Sequence, residues 1–235
     1  MRAFVTGGTG HAGSHIIPEL IAAGHDVTGL ARSDESAAAL SALGATVRRG
    51  SLEDLDGLKE AAADSDGVIH VAHRQDLLPS GGMDAVAAAE LQIMLAYGEA
   101  LAGTGKPLVA AGSIGGPGQG LGRPATEEDP ALPSGDEYKG TLRARNVVEI
   151  TVVGLAERGV RSSIVRLPLI AHDTTDTAGF LPQLIANGDA GRTRRLAGRC
   201  VRAGSRGSLP SASTLLDWLT WSPIGIWWRS QPFIQ

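Results

Sequence analysis

The chain has a single cysteine, few aromatic residues and no long apolar run. Cys200 has no second cysteine for an internal disulfide, which fits a reducing compartment. No window reaches the ~18 apolar residues that a membrane helix needs, and no signal-length apolar stretch precedes Gly7. A net charge of -4 over 235 residues gives no overall attraction for nucleic acid. We therefore expect a cytoplasmic protein that binds neither nucleic acid nor membranes.

The composition changes along the chain. Residues 1–185 carry 14 basic and 23 acidic side chains, whereas residues 186–235 carry seven basic and two acidic ones together with all four tryptophans. We therefore expect a domain over 1–185 and an atypical basic, Trp-rich segment over 186–235. A poorly ordered extension is the favoured interpretation of that segment, and a basic arm for an acidic partner is the alternative.

Short apolar runs alternate with helical patterns in the first part of the chain. This alternation predicts an α/β fold with a doubly wound, Rossmann-like parallel sheet. The predicted strands are Ala3–Val5, Val27–Ala31, Thr46–Arg48, Gly67–Ala72, Pro107–Ala111 and Ser162–Leu167. The predicted helices are 16–24, Ser36–Leu43, Leu52–Ala63, Met83–Ala102 and Thr141–Arg158. A small distortion without a break is expected at Pro18, and a long loop is expected over Gly112–Pro133.

The sequence from Thr6 to Gly13 is the strongest functional signal. Glycines at 7, 10 and 13 follow the first strand and open the first helix. Glycine permits a tight turn and close approach of the backbone to a diphosphate, and the helix N-terminus offers N–H groups to it. This strand–turn–helix context predicts a dinucleotide-binding turn and disfavours a plain tight turn.

The end of the second strand bears on which dinucleotide binds. An acidic residue there would bond the ribose hydroxyls of NAD, but the chain has Arg32 and Ser33, which suit a 2′-phosphate. We therefore favour NADP over NAD. Asp34, one position further on, keeps NAD open.

These motifs resemble the short-chain dehydrogenase/reductase superfamily, in particular its extended branch of NAD-dependent epimerases and dehydratases. The resemblance rests on the glycine turn, on Arg32-Ser33 and on the run from Asp66 to His73. Further similarity runs through 105–109 and 162–168, and the whole match covers about 1–185.

The resemblance implies a role for each matching position. The diphosphate would be held by Gly7, Thr9, Gly10, His11, Ala12 and Gly13. Arg32 and Ser33 would face the adenosine ribose, and Ser51 and Leu52 would flank the adenine. Val71, Ala72 and His73 would line the central stretch of the cofactor. Ser113, at the end of the fifth strand, would be near the catalytic Ser or Thr of the family.

The chain departs from the Tyr-x-x-x-Lys pair of that superfamily. Tyr138 is followed directly by Lys139, and the family positions fall nearer Thr141 and Arg145. Arginine can hold a ribose, but a threonine hydroxyl is a poor acid at neutral pH. Either Tyr138 acts from a shifted position, with Lys139, Arg143 or Arg145 as the cation, or the usual proton donor is missing. Tyr138 and Lys139 are the expected pair.

Histidines and the C-terminal segment leave further alternatives. His70 and His73 have no third ligand at a recognisable spacing, so no metal site is expected. In the extended members that the chain resembles, a larger C-terminal region builds the substrate pocket, so we expect that lobe to be truncated or replaced in this chain. A sequence error or an altered reading frame after Ile185 would give the same pattern.

The sequence thus predicts an NAD(P)-dependent oxidoreductase or epimerase/dehydratase-like enzyme. Its substrate would be a small carbonyl, alcohol or sugar nucleotide. A non-catalytic NAD(P)-binding sensor or regulator is the alternative, and a scaffold that uses the Trp-rich segment as an interface is a weaker one. A homodimer is an assembly that the sequence allows.

Overall fold

A computed structural model of the chain describes residues 1–113, 123, 126, 129, 133 and 135–167. The strands are β1 (Arg2–Thr6), β2 (Asp26–Ala31), β3 (Thr46–Arg49), β4 (Gly67–His70), β5 (Pro107–Ser113) and β6 (Arg161–Leu167). The α-helices are α1 (His11–Ala22), α2 (Asp34–Ala42), α3 (Leu55–Asp64), α4 (Leu78–Leu101) and α5 (Asn146–Gly154). Short 3-10 helices cover Gln75–Leu77, Asp136–Tyr138, Leu142–Arg145 and Leu155–Arg158.

The six strands form one parallel sheet in the order β3-β2-β1-β4-β5-β6. This confirms the predicted doubly wound α/β fold. The order reverses direction between β1 and β4, where Thr6 is in register with His70. In such sheets ligands bind in the crevice at the carboxyl ends of the strands, at the point where the order reverses.

Both faces of the sheet are covered, and neighbouring residues of β1 show how. Phe4 packs into a core with buried residues of α3, α4 and α5, whereas Val5 packs into a second core with residues of α1 and α2. Successive side chains of a strand point to opposite faces. A strand buried on both sides therefore needs an unbroken apolar run, which is why β1 was predictable.

Helix boundaries agree closely with the predictions, with local differences. α1 runs continuously through Pro18, as expected. α3 begins at Leu55 and not at Leu52, because the Asp54 side chain accepts a hydrogen bond from the Gly57 N–H at 3.0 Å and caps the helix. α4 begins at Leu78 but has a non-helical residue at Gly82, so its regular part starts where the sequence predicted.

Three further predicted boundaries were wrong. β4 ends at His70 and not at Ala72, because the chain turns there onto the glycine turn after β1. The expected single helix over Thr141–Arg158 is α5 flanked by two 3-10 helices, since the Thr141 side chain caps the first at the Arg143 N–H. β5 extends to Ser113, which shortens the predicted loop from its start.

Residues 168–235 lie outside the described residues, so the expectations for Pro168, for Cys200 and for the segment 186–235 find no counterpart here. Most of the predicted loop over Gly112–Pro133 also lies outside them. In the described part of the chain, no helix has the length and apolar character needed to cross a membrane.

Candidate dinucleotide-binding site

The turn after β1 is built by close backbone contacts that only glycine allows. Gly7 has φ +78°, and a Cβ on it would lie 2.5 Å from the Ala72 backbone nitrogen. The Gly10 N–H donates to the Gly7 carbonyl at 3.0 Å and closes the turn. The turn thus packs between α1 and the segment that follows β4.

Helix α1 is pressed onto the same turn at Gly13. A Cβ on Gly13 would overlap the Gly7 carbonyl oxygen and lie 2.6 Å from the Gly8 Cα. The helix N-cap is Gly10, which has no capping side chain, and the first turn contains no acidic residue. The positive end of the helix dipole is therefore uncompensated at a surface where Thr9 and Gly10 are exposed and His11 and Ala12 are half-buried. These features fit a diphosphate.

A cluster of charged side chains follows β2 and β3, which are neighbours in the sheet. Arg32 is exposed directly after β2. Arg49, at the end of β3, forms an ion pair with Asp34, so that acidic side chain is engaged with an arginine. The Ser33 side chain caps α2 in a capping box with Ser36. The hydroxyl expected to face the ribose thus already has a structural role.

The connection from β3 to α3 lies beside this cluster. Ser51 and Leu52 are half-buried, and a surface hollow next to them is lined by Leu30 and Gly50. Arg74 donates to Glu53 at 2.9 Å and to Asp76 at 2.8 Å. This ties the chain after β4 to the loop that was expected to flank the adenine.

The segment Val71–His73 runs directly against the glycine turn. The Val71 N–H donates to the Thr6 carbonyl at 3.1 Å, and Ala72 backs Gly7. His73 follows, and its Nδ1 lies 2.8 Å from Oε1 of Glu90 in α4. The structure therefore brings the expected cofactor-lining residues together with the expected diphosphate-binding residues.

Glu90 is a buried carboxylate with two partners. Its side chain is 1% exposed, and its Oε2 accepts from the Arg145 Nε at 2.6 Å. Burial would raise the pKa of Glu90, but the hydrogen bond from His73 and the charge and hydrogen bond of Arg145 hold that pKa below its ordinary value. The carboxylate therefore stays ionised inside the fold.

His70 is a second buried polar residue, at the end of β4 where the strand order reverses. Its Nδ1 lies 2.7 Å from the Thr6 hydroxyl, and its ring packs edge-on against Tyr97. Burial, and to a smaller extent Arg145 and His73, lowers the pKa of His70 from 6.5 to about 4. Burial also raises the pKa of the Tyr97 hydroxyl. His70 is thus a neutral core residue at physiological pH.

The expected catalytic residues lie on two segments, the end of β5 and a 3-10 helix before α5. Ser113 is the last residue of β5, and its side chain lies outside the described residues. Tyr138 ends a 3-10 helix, with the Arg143 guanidinium 5.4 Å from its ring centroid. Lys139 is exposed and pairs with Asp136 at 2.8 Å.

The Arg145 side chain contacts both α4 and β5. Arg145 directly precedes α5. Its side chain pairs with Glu90, and its Nη2 donates to the Ala111 carbonyl of β5 at 3.5 Å. Thr141, at the expected family tyrosine position, is exposed and bonds the Tyr138 carbonyl at 2.7 Å. Arg145 is one of the three residues that the sequence analysis predicted as the cation acting with Tyr138.

Glu90 was missed from the sequence, although a signal was present. Val86, Ala87, Ile93, Met94 and Tyr97 are the buried face of α4, at helical spacing. Glu90 occupies that same face, and a carboxylate on an apolar stripe requires a buried partner. Among the described residues, no group of three or more His, Cys, Asp or Glu side chains is placed to hold a metal ion.

Comparisons with known proteins agree with this geometry. The family model described as NAD(P)H-binding matches residues 7–96. The chain is 40% identical over 189 residues to an uncharacterized protein of Schizosaccharomyces pombe, covering 79% of this chain and 59% of that protein. It is 33% identical over 209 residues to a 4-hydroxy-2-methyl-3-oxo-4-farnesyl-3,4-dihydroquinoline-1-oxide ketoreductase of Stigmatella aurantiaca, covering 83% and 56%. The chain thus spans less than two thirds of either relative.

A solved structure shows the same fold. The UDP-glucose 4-epimerase of Thermus thermophilus in complex with NAD superposes with a TM-score of 0.60 at 23% identity, over 79% of this chain and 61% of that one. At this identity the likeness establishes the architecture alone.

Proposed function

We propose that the chain is an NAD(P)-dependent oxidoreductase of the short-chain dehydrogenase/reductase superfamily, in its epimerase/dehydratase-like branch. The observation that carries the proposal is the turn after β1. Gly7 and Gly13 are held so closely against backbone that no side chain fits there, and the turn ends at an uncapped helix N-terminus. This is the construction that a dinucleotide diphosphate requires.

The residues of the site fit the cofactor along its length. Gly7, Thr9, Gly10, His11, Ala12 and Gly13 would hold the diphosphate through backbone groups. Arg32 and Ser33 would face the adenosine ribose, Ser51 and Leu52 the adenine, and Val71, Ala72 and His73 the central stretch. When bound, the reduced nicotinamide supplies a hydride to a carbonyl carbon.

We propose NADP as the preferred cofactor. Arg32 offers a planar guanidinium to a 2′-phosphate, and the ion pair with Arg49 offsets the charge of the Asp34 carboxylate, which would repel that phosphate. The Ser33 hydroxyl stays engaged in capping α2, so Arg32 supplies most of the preference.

Ser113 is the catalytic residue that the resemblance implies, and Tyr138 and Lys139 are the pair that the sequence predicts at a position shifted from the family motif. Ser113 would polarise the substrate oxygen from the end of β5. Tyr138 is the proton donor that the sequence predicts, and the Arg143 guanidinium lies 5.4 Å from the centroid of its ring. Arg145 is a better candidate than Lys139 for the cation that holds the nicotinamide ribose, because it reaches from α5 to β5 while Lys139 pairs at the surface with Asp136.

The reductase relative supports a carbonyl substrate. A ketoreductase shares 33% identity over most of this chain, which supports reduction of a small carbonyl compound and disfavours the sensor alternative. Epimerase or dehydratase chemistry on a sugar nucleotide is the second candidate, supported by the shared architecture.

Fluorescence titration with NADPH and NADH, followed by turnover on a panel of aldehydes and ketones, tests the proposal. We expect tighter binding of NADPH and measurable NADPH oxidation. Tyr138→Phe decides whether the Tyr138 hydroxyl donates the proton. Binding without turnover on any carbonyl would favour the sensor, and no binding of either nucleotide would refute the proposal.

A further inference from the structure

A buried carboxylate connects two side chains at the edge of the proposed cofactor site. Glu90 accepts from His73 on one oxygen at 2.8 Å and from Arg145 on the other at 2.6 Å. Its side chain is 1% exposed, against 30% for His73 and 23% for Arg145. The carboxylate is therefore fixed inside the fold, and its two partners face outward from it.

His73 is the partner that lies beside the glycine turn. It follows Ala72, whose backbone backs Gly7. Its Nδ1 is engaged by Glu90, which leaves Nε2 as the ring nitrogen that can meet a ligand. A carboxylate on one imidazole nitrogen fixes the orientation of the ring, so the other nitrogen is held in one direction, in which it can pass a proton to a ligand.

We propose that His73 donates the proton in carbonyl reduction, with Glu90 and Arg145 as positioning residues. This inference rests on the proposed function. It gives the site a proton donor that is held by the interior of the fold, whereas Tyr138 and Lys139 have local partners at the surface.

The proton step balances as follows. The N–H bond at Nε2 of protonated His73 breaks, and an O–H bond forms on the substrate oxygen as the carbon receives hydride from the reduced nicotinamide. The products are the alcohol and the oxidised cofactor. The neutral imidazole regains a proton from water through its exposed side, while Glu90 stays ionised.

Charged and titratable groups surround His73 from three elements. Glu90 faces it from α4, Arg145 lies at the start of α5, and His70 lies at the end of β4. His70 is neutral above about pH 4 because of its burial. Above that pH, the fixed charges of this cluster beside His73 are therefore those of Glu90 and Arg145.

His73→Gln in the full chain tests the assignment, because Gln can donate to Glu90 but cannot carry a proton. On a carbonyl that the unmodified chain reduces, we expect kcat to fall at least about 100-fold with KM little changed. The NADPH dissociation constant should change by no more than about threefold. The matched control is His25→Gln. His25 directly precedes β2 and so lies at the amino end of its strand, whereas His73 follows the carboxyl end of β4.

Glu90→Gln tests the positioning role. We expect kcat to fall about 10- to 100-fold with KM little changed, because the His73 ring loses the carboxylate that orients it. Without any cofactor or substrate, the downfield proton resonance of the His73 ring N–H bonded to Glu90 should be present in the unmodified chain. It should be lost in both variants.

The outcomes separate this inference from the proposed function. Failure of the unmodified chain to bind NADPH refutes the proposed function. NADPH binding with unchanged kcat in a folded His73→Gln variant refutes the inference alone. NADPH binding without turnover on any carbonyl refutes both the reduction and the proton step, while cofactor binding stands.

Discussion

Gly13 of α1 packs so closely on Gly7 that a methyl group on Gly13 would overlap the Gly7 carbonyl oxygen. The overlap is with backbone, which cannot move aside as a flexible side chain can. We therefore expect Gly13→Ala to lower the free energy of unfolding by roughly 1–3 kcal/mol, the usual cost of overpacking. Thermal or urea unfolding measures this.

Gly154→Ala is the matched control for that substitution. Gly154 has helical φ of -64°, and nothing lies within 4 Å of its ideal Cβ. Alanine there should be neutral or slightly stabilising, since alanine favours a helix by up to about 1 kcal/mol over glycine. Equal unfolding free energies for Gly13→Ala and Gly154→Ala would show that the contact at the turn is not tight.

Arg32→Ala tests the preference for NADP. A charge-assisted contact to a phosphate is worth roughly 1.5–3 kcal/mol, so we expect the NADPH affinity to fall about 10- to 100-fold and the NADH affinity to stay nearly constant. Arg161→Ala, at the amino end of β6, is the control and should affect neither nucleotide. An equal loss for both nucleotides would place Arg32 away from the 2′-phosphate.

His70 predicts a pH dependence of stability. Its pKa falls from 6.5 to about 4 on folding, so between those values the unfolded chain binds more protons than the folded one. The contribution of His70 to the free energy of unfolding is therefore fully present above pH 6.5. As the pH falls from 6.5 towards 4, the free energy of unfolding decreases by roughly 3 kcal/mol. Urea unfolding at several pH values measures the slope.

His70→Asn removes the titrating group and keeps a polar atom for Thr6, which bonds the His70 ring at 2.7 Å. The variant should be less stable than the unmodified chain at pH 7 but lose less stability between pH 6.5 and 4. An unchanged slope over that interval would mean that the imidazole titrates normally in the folded protein.

Arg145→Met leaves the Glu90 carboxylate buried with only His73 as a partner. Removal of one partner of a buried ion pair typically costs about 3 kcal/mol or more. We expect a loss of that order at pH 7, measured by urea unfolding. Lys139→Met, which breaks an exposed pair with Asp136, should have no measurable effect.

The double variant Glu90→Gln/Arg145→Met separates the ion pair from simple packing. Because the buried charge is then gone, part of the stability lost in Arg145→Met should return. Strictly additive losses from the two substitutions would show that Glu90 and Arg145 do not stabilise each other.

The glycine turn and the strands were predictable because their causes are local. The three glycines directly follow an apolar run, and Gly13 must clear the backbone of Gly7 and Gly8 only six and five residues earlier. A strand buried on both faces needs an apolar run such as that of β1. The Glu90 cluster depends on packing between distant elements. His73 lies 17 residues from Glu90 in the chain, and Arg145 lies 55 residues from it.

The end of β4 shows the same limit on a smaller scale. Val71 and Ala72 continue the apolar run of the strand, and nothing in their own sequence marks its end. The strand stops at His70 because the following backbone is needed against Gly7, 65 residues earlier in the chain. For Tyr138, the sequence analysis named Lys139, Arg143 and Arg145 as possible cations, and the structure places the Arg143 guanidinium 5.4 Å from its ring centroid.

NADPH binding by Gly10→Ala tests the central claim most directly. Gly10 has ordinary extended φ and ψ of -77° and 171°, and a Cβ on it would approach only the Gly7 carbonyl, at 3.2 Å. The variant should therefore fold, while its methyl group occupies space that a diphosphate needs. We predict NADPH affinity at least about tenfold below that of the unmodified chain and of Gly154→Ala. Equal affinity in all three folded proteins would contradict the account.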